Sequence, residues 1–123
     1  MTTMPMRRFV SSKLGRAQFV AFEAAGYAWV RLEDSAGQLV AYWSRQDGQL
    51  DEAVGLVGEL RDALVQELKG ANEFSAVADL HRAQRLFVDQ WELWPYNPVP
   101  LRDVVLSPEF GQASALAAAE GLD

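Results

Sequence analysis

Between Asp51 and Lys69 apolar residues return every three or four positions. Val57, Leu60, Leu64 and Leu68 fall on one face of a helix, and Ala53, Leu56 and Ala63 widen it. Glu52, Glu59, Asp62, Gln66 and Lys69 fall largely on the other side. Asp51 is placed to cap the first free N–H groups, acids fill the first turn, and Lys69 followed by Gly70 closes the last. Gly55 and Gly58 interrupt the pattern, each costing about 1 kcal/mol relative to Ala. Close approach to another backbone is the compensation this predicts.

The pattern before the helix has period two. Ala17 to Glu23, Tyr27 to Glu33 and Leu39 to Arg45 are rich in Val, Phe, Tyr and Trp, and each gap contains a glycine in its last position, Ala24-Ala25-Gly26 and Ser35-Ala36-Gly37. Read as three-residue hairpin loops, these set Glu23 opposite Tyr27 and Asp34 opposite Gln38. One face of the resulting meander then collects Val20, Phe22, Ala28, Val30, Leu32, Val40 and Tyr42 as a floor for the helix. A 19-residue helix spans about 28 Å and a seven-residue strand about 23 Å, so floor and helix match. Ahead of the meander, Met1 to Met6 reads as a frayed start. Arg7 to Arg16 reads as a charged edge strand, with a nucleic-acid-binding arm as the weaker alternative.

After Gly70, the spacing of Phe74, Val77, Leu80, Gln84, Phe87, Val88, Trp91 and Trp94 predicts a second helix over Glu73 to Leu93, with a strand over Leu86 to Trp94 as its competitor. Trp94-Pro95 stops it, Tyr96 to Pro100 is a proline-stiffened connector, and Leu101 to Leu106 is a short strand. Ser107-Pro108-Glu109 starts an Ala-rich terminal helix ending near Gly121. The expected fold is α+β: an antiparallel meander of three to four strands, an amphipathic helix on one face, a second long helix, and a short C-terminal strand and helix. Residues 1–123 form a single domain in this reading.

Composition narrows the function classes. The chain has 123 residues and no cysteine, which removes disulfides, thiolate metal sites and Cys nucleophiles and favours a cytoplasmic address. No apolar run approaches a membrane span, and the first residues lack the apolar core of a signal peptide, so a soluble protein is expected. The net charge of −6 is uneven: residues 1–50 carry six basic against four acidic side chains, residues 51–123 five against thirteen. Nucleic-acid binding over the whole surface is disfavoured, because phosphate contacts need a basic patch. The acidic half keeps the protein dissolved, and in the sharper reading it docks a basic protein partner.

In the register above, the second face of the meander gathers Phe19, Tyr27, Trp29, Arg31, Trp43 and Arg45, with Trp29 and Trp43 stacked and Arg45 opposite Tyr27 in reach of a cation–π contact. That is more aromatic surface than a monomer leaves in water, so a later helix, a second copy in a homodimer, or a partner is expected to cover it. The partner-binding candidates are therefore Tyr27, Trp29, Arg31, Trp43 and Arg45, together with Glu59 and Asp62 on the helix. The alternative is a small-ligand or enzyme pocket built from His81, Trp91, Trp94, Tyr96, Asn97, Arg102 and Asp103 around the connector.

His81 is the single histidine. Its neighbours Asp79, Arg82, Arg85 and Asp89 are spaced as surface ion pairs on a helix, which leaves a His81–Asp dyad without direct support. Carboxylate pairs such as Glu52/Glu59 and Asp89/Glu92 flank exposed positions and lack the burial that acid–base work requires. The Gly55 to Gly58 stretch is no phosphate loop, since no Lys-Ser/Thr follows it. No cofactor or metal is expected, and a non-enzymatic binding module is favoured over an enzyme. In size, acidity and layout alone the chain is comparable with toxin-neutralising immunity proteins and secretion chaperones, an analogy that rests on no motif.

Overall fold

The computed structural model describes residues 5–67, 88–94 and 108–123. Their order is β1 (Met6–Ser11), a 3-10 turn (Ser12–Leu14), β2 (Ala17–Ala24), β3 (Tyr27–Glu33), β4 (Leu39–Gln46), α1 (Leu50–Glu67), β5 (Glu92–Trp94), α2 (Pro108–Leu116) and β6 (Ala119–Gly121). The strands make one six-stranded sheet in the order β5-β4-β3-β2-β1-β6. Every pairing is antiparallel except β1 with β6. This is an α+β fold with α1 packed on the meander, as the periodicities predict.

The register differs by one residue from the expected one, and the difference reassigns two strands. The β2–β3 loop holds two residues, Ala25 and Gly26, both with positive φ (55° and 82°), as a type I′ turn requires. Ala24 therefore pairs with Tyr27 and Phe22 with Trp29. In the second hairpin Asp34 donates its N–H to the Gln38 carbonyl at 2.9 Å, as expected. The ladder then shifts, with Glu33 pairing with Leu39 but Leu32 with Ala41, so Val40 is the extra residue of a bulge. A one-residue slip moves a whole strand's side chains to the other face. β3 keeps its expected face, whereas β2 and most of β4 are reversed.

Beneath α1 lie Phe19, Ala21, Ala28, Val30, Leu32, Val40, Ala41 and Trp43, together with Phe9, Leu14 and Trp91. α1 contributes Ala53, Leu56, Val57, Leu60 and Leu64, all buried. The other face holds Val20, Phe22, Trp29 and Tyr42, packed with Phe110 of α2. The ring centroids of Phe22 and Phe110 are 4.9 Å apart, edge to face. Two buried faces explain why these strands read as nearly continuous apolar runs.

Five further expectations are corrected. β1 is not the sheet edge: β6 covers part of it, and the chain predicted to stay helical to Gly121 leaves the helix at Leu116. Glu92 and Leu93, placed at the end of the predicted second helix, form with Trp94 a strand on Tyr42–Ser44, as the competing strand reading has it for these three residues, preceded by a turn in which the Trp91 N–H donates to the Val88 carbonyl at 3.1 Å. Asp51 does not cap α1. Glu23 of β2 accepts from the Leu50 N–H, and Glu52 accepts from the Gln49 N–H at 3.1 Å. Gly55 and Gly58 face open space, with no described atom within 4 Å of a Cβ added at either. Leu68, Lys69, Gly70, the helix over residues 73–87, the Tyr96 to Pro100 connector, the Leu101 to Leu106 strand and the Ser107 cap lie outside the described residues.

Candidate functional site

The corner where the sheet hands the chain to α1 is built from two tight turns lying side by side. The Ala25-Gly26 turn ends the first hairpin, and Asp47, also left-handed at φ 57°, ends β4. The Asp47 N–H donates to the Gly26 carbonyl at 2.8 Å and locks one turn to the other. Gly48 then passes over Ala28 so closely that an added Cβ would meet Ala28 Cβ at 2.7 Å and the Arg45 carbonyl oxygen at 3.1 Å. Only glycine fits there. The two turns, Pro5, Glu23 and Tyr27 enclose an open cleft of about 400 Å³.

Two carboxylates face this corner, and they differ in role. Glu23 lies at the inner side, with one oxygen engaged by the first amide of α1, where the positive end of the helix favours an anion. Asp47 sits at the rim. Outside the cleft Arg45 reaches Glu52 at 2.5 Å, with both side chains more than a third exposed, so the pair is of small energetic weight. Along the outer side of α1, Asp51, Glu59 and Glu67 are exposed, as is Asp62, which Arg61 approaches at 2.9 Å. Between these acids, no described atom outside the helix's own backbone comes within 4 Å of a Cβ added at Gly55 or Gly58. The corner and the outer face together present carboxylates around a hollow and a smooth helix, an arrangement that can receive lysine or arginine side chains.

The seven partner-binding candidates divide. Glu59 and Asp62 are exposed on α1 and Arg45 is partly exposed beside it, whereas Tyr27 lines the cleft but packs half-buried against the second face. Trp29 and Trp43 do not form a stacked exposed pair: both are fully buried, on opposite faces. Trp43 packs beneath α1. Trp29 lies against Phe22, Tyr27 and Tyr42 and donates its indole N–H to the Ala24 carbonyl at 3.3 Å. Arg45 stands opposite Ala28 rather than Tyr27, so the expected cation–π contact is absent. Arg31 lies on the second face, 2.7 Å from Glu33, with its guanidinium 5.2 Å from the Phe110 ring centroid. Of the alternative pocket, Trp91 is a core residue, 8% exposed. Trp94 lies in β5, and His81, Tyr96, Asn97, Arg102 and Asp103 lie outside the described residues.

The second face also holds a polar atom that no sequence pattern singles out. The Tyr42 hydroxyl is buried and has no hydrogen-bond partner among the described residues. Burial pushes its pKa up to about 12, against a smaller opposing pull from the Arg31 charge. Sequence reasoning also missed Glu23, Asp47 and Gly48. The Asp47-Gly48 dipeptide signals a turn, but nothing local shows that it docks on the Ala25-Gly26 turn. Among the described residues no group of three or more His, Cys, Asp or Glu side chains could hold a metal ion, and no helix is long and apolar enough to cross a membrane.

Compared with protein families, with curated proteins and with solved structures, the chain matches none.

Proposed function

We propose that this chain is a cytoplasmic protein-binding module that masks a basic partner with the outer face of α1 and the cleft at its N-terminal end. The observation that carries the reading is the state of Gly55 and Gly58. Each costs about 1 kcal/mol in a helix, and neither is approached by a described atom of its own chain. Close approach by a partner backbone supplies the missing reason. The exposed Asp51, Glu59 and Asp62 beside them set the partner's charge, and the Glu23/Asp47 cleft takes one of its cationic side chains. An immunity-type inhibitor or a chaperone-like adaptor would use such a surface. The homodimer reading loses its basis, since the Trp29/Trp43 patch that motivated it is not a patch.

The test pairs a pull-down from the source cell with a defined probe. A partner captured by the wild type is released by moderate salt and is not captured when Glu59 and Asp62 are both changed to Lys. An octalysine peptide followed by NMR shifts the amides of residues 51–62. Retention of the captured partner by the double variant, or peptide-induced shifts confined to other surfaces, sinks the proposal.

A further inference from the structure

Residues 119–123 lie on the sheet edge as a ligand lies in a groove. β6 runs parallel to β1, pairing Arg8 with Ala119, Phe9 with Glu120 and Val10 with Gly121, and the Leu122 N–H donates to the Val10 carbonyl at 2.9 Å. All three strand residues are exposed. What holds the segment is its side chains. Arg7 forks onto Glu120, Nη2 to Oε2 at 2.6 Å and Nε to Oε1 at 3.2 Å. Leu122 packs half-buried against the core. The Asp123 carboxylate accepts from the Ser11 hydroxyl at 2.9 Å, the Ser12 hydroxyl at 2.8 Å and the Lys13 N–H at 2.7 Å, with an Arg61 nitrogen at 3.5 Å. The Asp123 side chain is 8% exposed and Ser11 is fully buried.

We propose that this edge is a binding groove for an acidic, extended segment of another protein, for which residues 119–123 are the intramolecular stand-in. The ligand runs parallel to β1 and carries a Glu, an apolar residue two positions later and an Asp directly after that. Main-chain pairing with an exposed edge supplies affinity, while the side-chain sites along it supply specificity. Here those sites are the Arg7 fork, the place of Leu122 and the cage of Ser11, Ser12, Lys13 N–H and Arg61. Charge-assisted bonds to both carboxylates select an acidic strand.

The stand-in is built to be displaced. It pairs with only three of the six residues of β1, leaving Met6, Arg7 and Ser11 outside the ladder. A short exposed strand belongs to the low end of local stability. A covalently attached segment competes at millimolar effective concentration, so a displacing strand must pair further along β1, toward Arg7 and Met6. Arg61 is shared with the acidic face of α1 through Asp62, but the Arg7 fork and the Ser11–Lys13 cage belong to this groove alone, so the peptide test below distinguishes its failure from that of the function proposed above.

The experiment titrates a fluorescein-labelled peptide, Ala-Ala-Ala-Glu-Gly-Leu-Asp, into the full chain. Its first two residues reach Arg7 and Met6 in the register of β6. Anisotropy is expected to show binding at least tenfold tighter to the Glu120→Gln/Asp123→Asn variant, whose own segment competes less, than to the wild type. Adding Arg7→Glu to that variant, or replacing the peptide's acids with Gln and Asn, removes the gain. In the wild type, amide exchange at Leu122 accelerates as peptide displaces the segment, a readout that does not depend on the variant folding. Unchanged Leu122 protection at millimolar peptide overturns the proposal. Equal binding of the acidic and neutral peptides does so as well.

Discussion

Glu23 of β2 accepts a hydrogen bond from the Leu50 N–H, so the first amide of α1 is satisfied by a strand twenty-seven residues earlier. The cap therefore fixes where the helix starts and also ties it to the hairpin turn beside it. Glu23→Ala is expected to destabilise the protein by about 1 to 2 kcal/mol, the usual range for losing a cap. Asp51→Asn, which removes a charge from the helix N-terminus and a minor attraction to Arg7, should cost less than about 1 kcal/mol. Urea unfolding of both variants checks the order, and a larger loss for Asp51 would mean that the local residue caps after all.

The glycines of this chain make opposite predictions. Gly48→Ala forces a methyl group onto Ala28 and the Arg45 carbonyl, and overpacking of that kind costs about 1 to 3 kcal/mol. Gly55→Ala and Gly58→Ala meet nothing described and should each stabilise α1 by about 1 kcal/mol. Thermal unfolding separates the three. If Gly55→Ala also weakens capture of the basic partner, the glycine serves docking rather than folding.

How much of this was legible in the chain depends on the distance over which each feature is decided. The buried face of α1 was readable because it is local, whereas its start, capped by Glu23 of a distant strand, was not, and the predicted end at Lys69-Gly70 lies outside the described residues. β3 was likewise readable from its local pattern. The faces of β2 and β4 were not, because each hangs on one residue: whether Ala24 belongs to the loop or the ladder, and where the bulge sits. An alanine at φ 55° gives no sequence signal for a type I′ turn, which asparagine, aspartate or glycine would have given. The bulge at Val40 is equally silent. From those two slips follows the whole difference between an exposed Trp29/Trp43 patch and two separately buried indoles. The candidate site was legible in its charge, through Glu59 and Asp62, but not in its cleft, which forms only when turns twenty residues apart dock.

Two ionisable groups predict how stability changes with pH. For Tyr42, a folded-state pKa of about 12 against an ordinary 10.0 means the unfolded chain ionises first. Its contribution is complete below pH 10 and is lost as pH rises toward 12, a change on the order of 3 kcal/mol. Tyr42→Phe removes a buried hydroxyl without a described partner, so it should leave neutral-pH stability unchanged or slightly higher and flatten the alkaline fall. For Asp123, burial alone would raise the carboxyl, yet bonds from the Lys13 N–H and the Ser12 and Ser11 hydroxyls outweigh it and hold it below its ordinary 3.8. That contribution is present above pH 3.8 and is lost as pH falls through the depressed value. Denaturant midpoints across pH 2 to 12 check both arms, with Asp123→Asn expected to flatten only the acid arm.

The final prediction separates burial inside one chain from burial between chains. Trp43 is fully buried beneath α1, in a cluster with Val30, Leu60 and Leu64, and Trp29 is fully buried on the opposite face with Phe22, Tyr42 and Phe110. Glutamate at either position places a charge in a fully buried site, which costs several kcal/mol or forces its neutralisation. Trp43→Glu and Trp29→Glu should therefore both abolish the cooperative fold, seen as loss of near-ultraviolet circular dichroism and of dispersed amide signals. A seam between two copies would behave differently, with at least one of the variants staying folded while its sedimentation coefficient fell. Leu60→Ala supplies the scale, since opening a cavity under α1 without adding charge should cost about 2 to 5 kcal/mol and leave a folded, less stable chain. If Trp43→Glu proved milder than Leu60→Ala, the indole would have to be reaching solvent, and the register that puts it beneath the helix would be wrong.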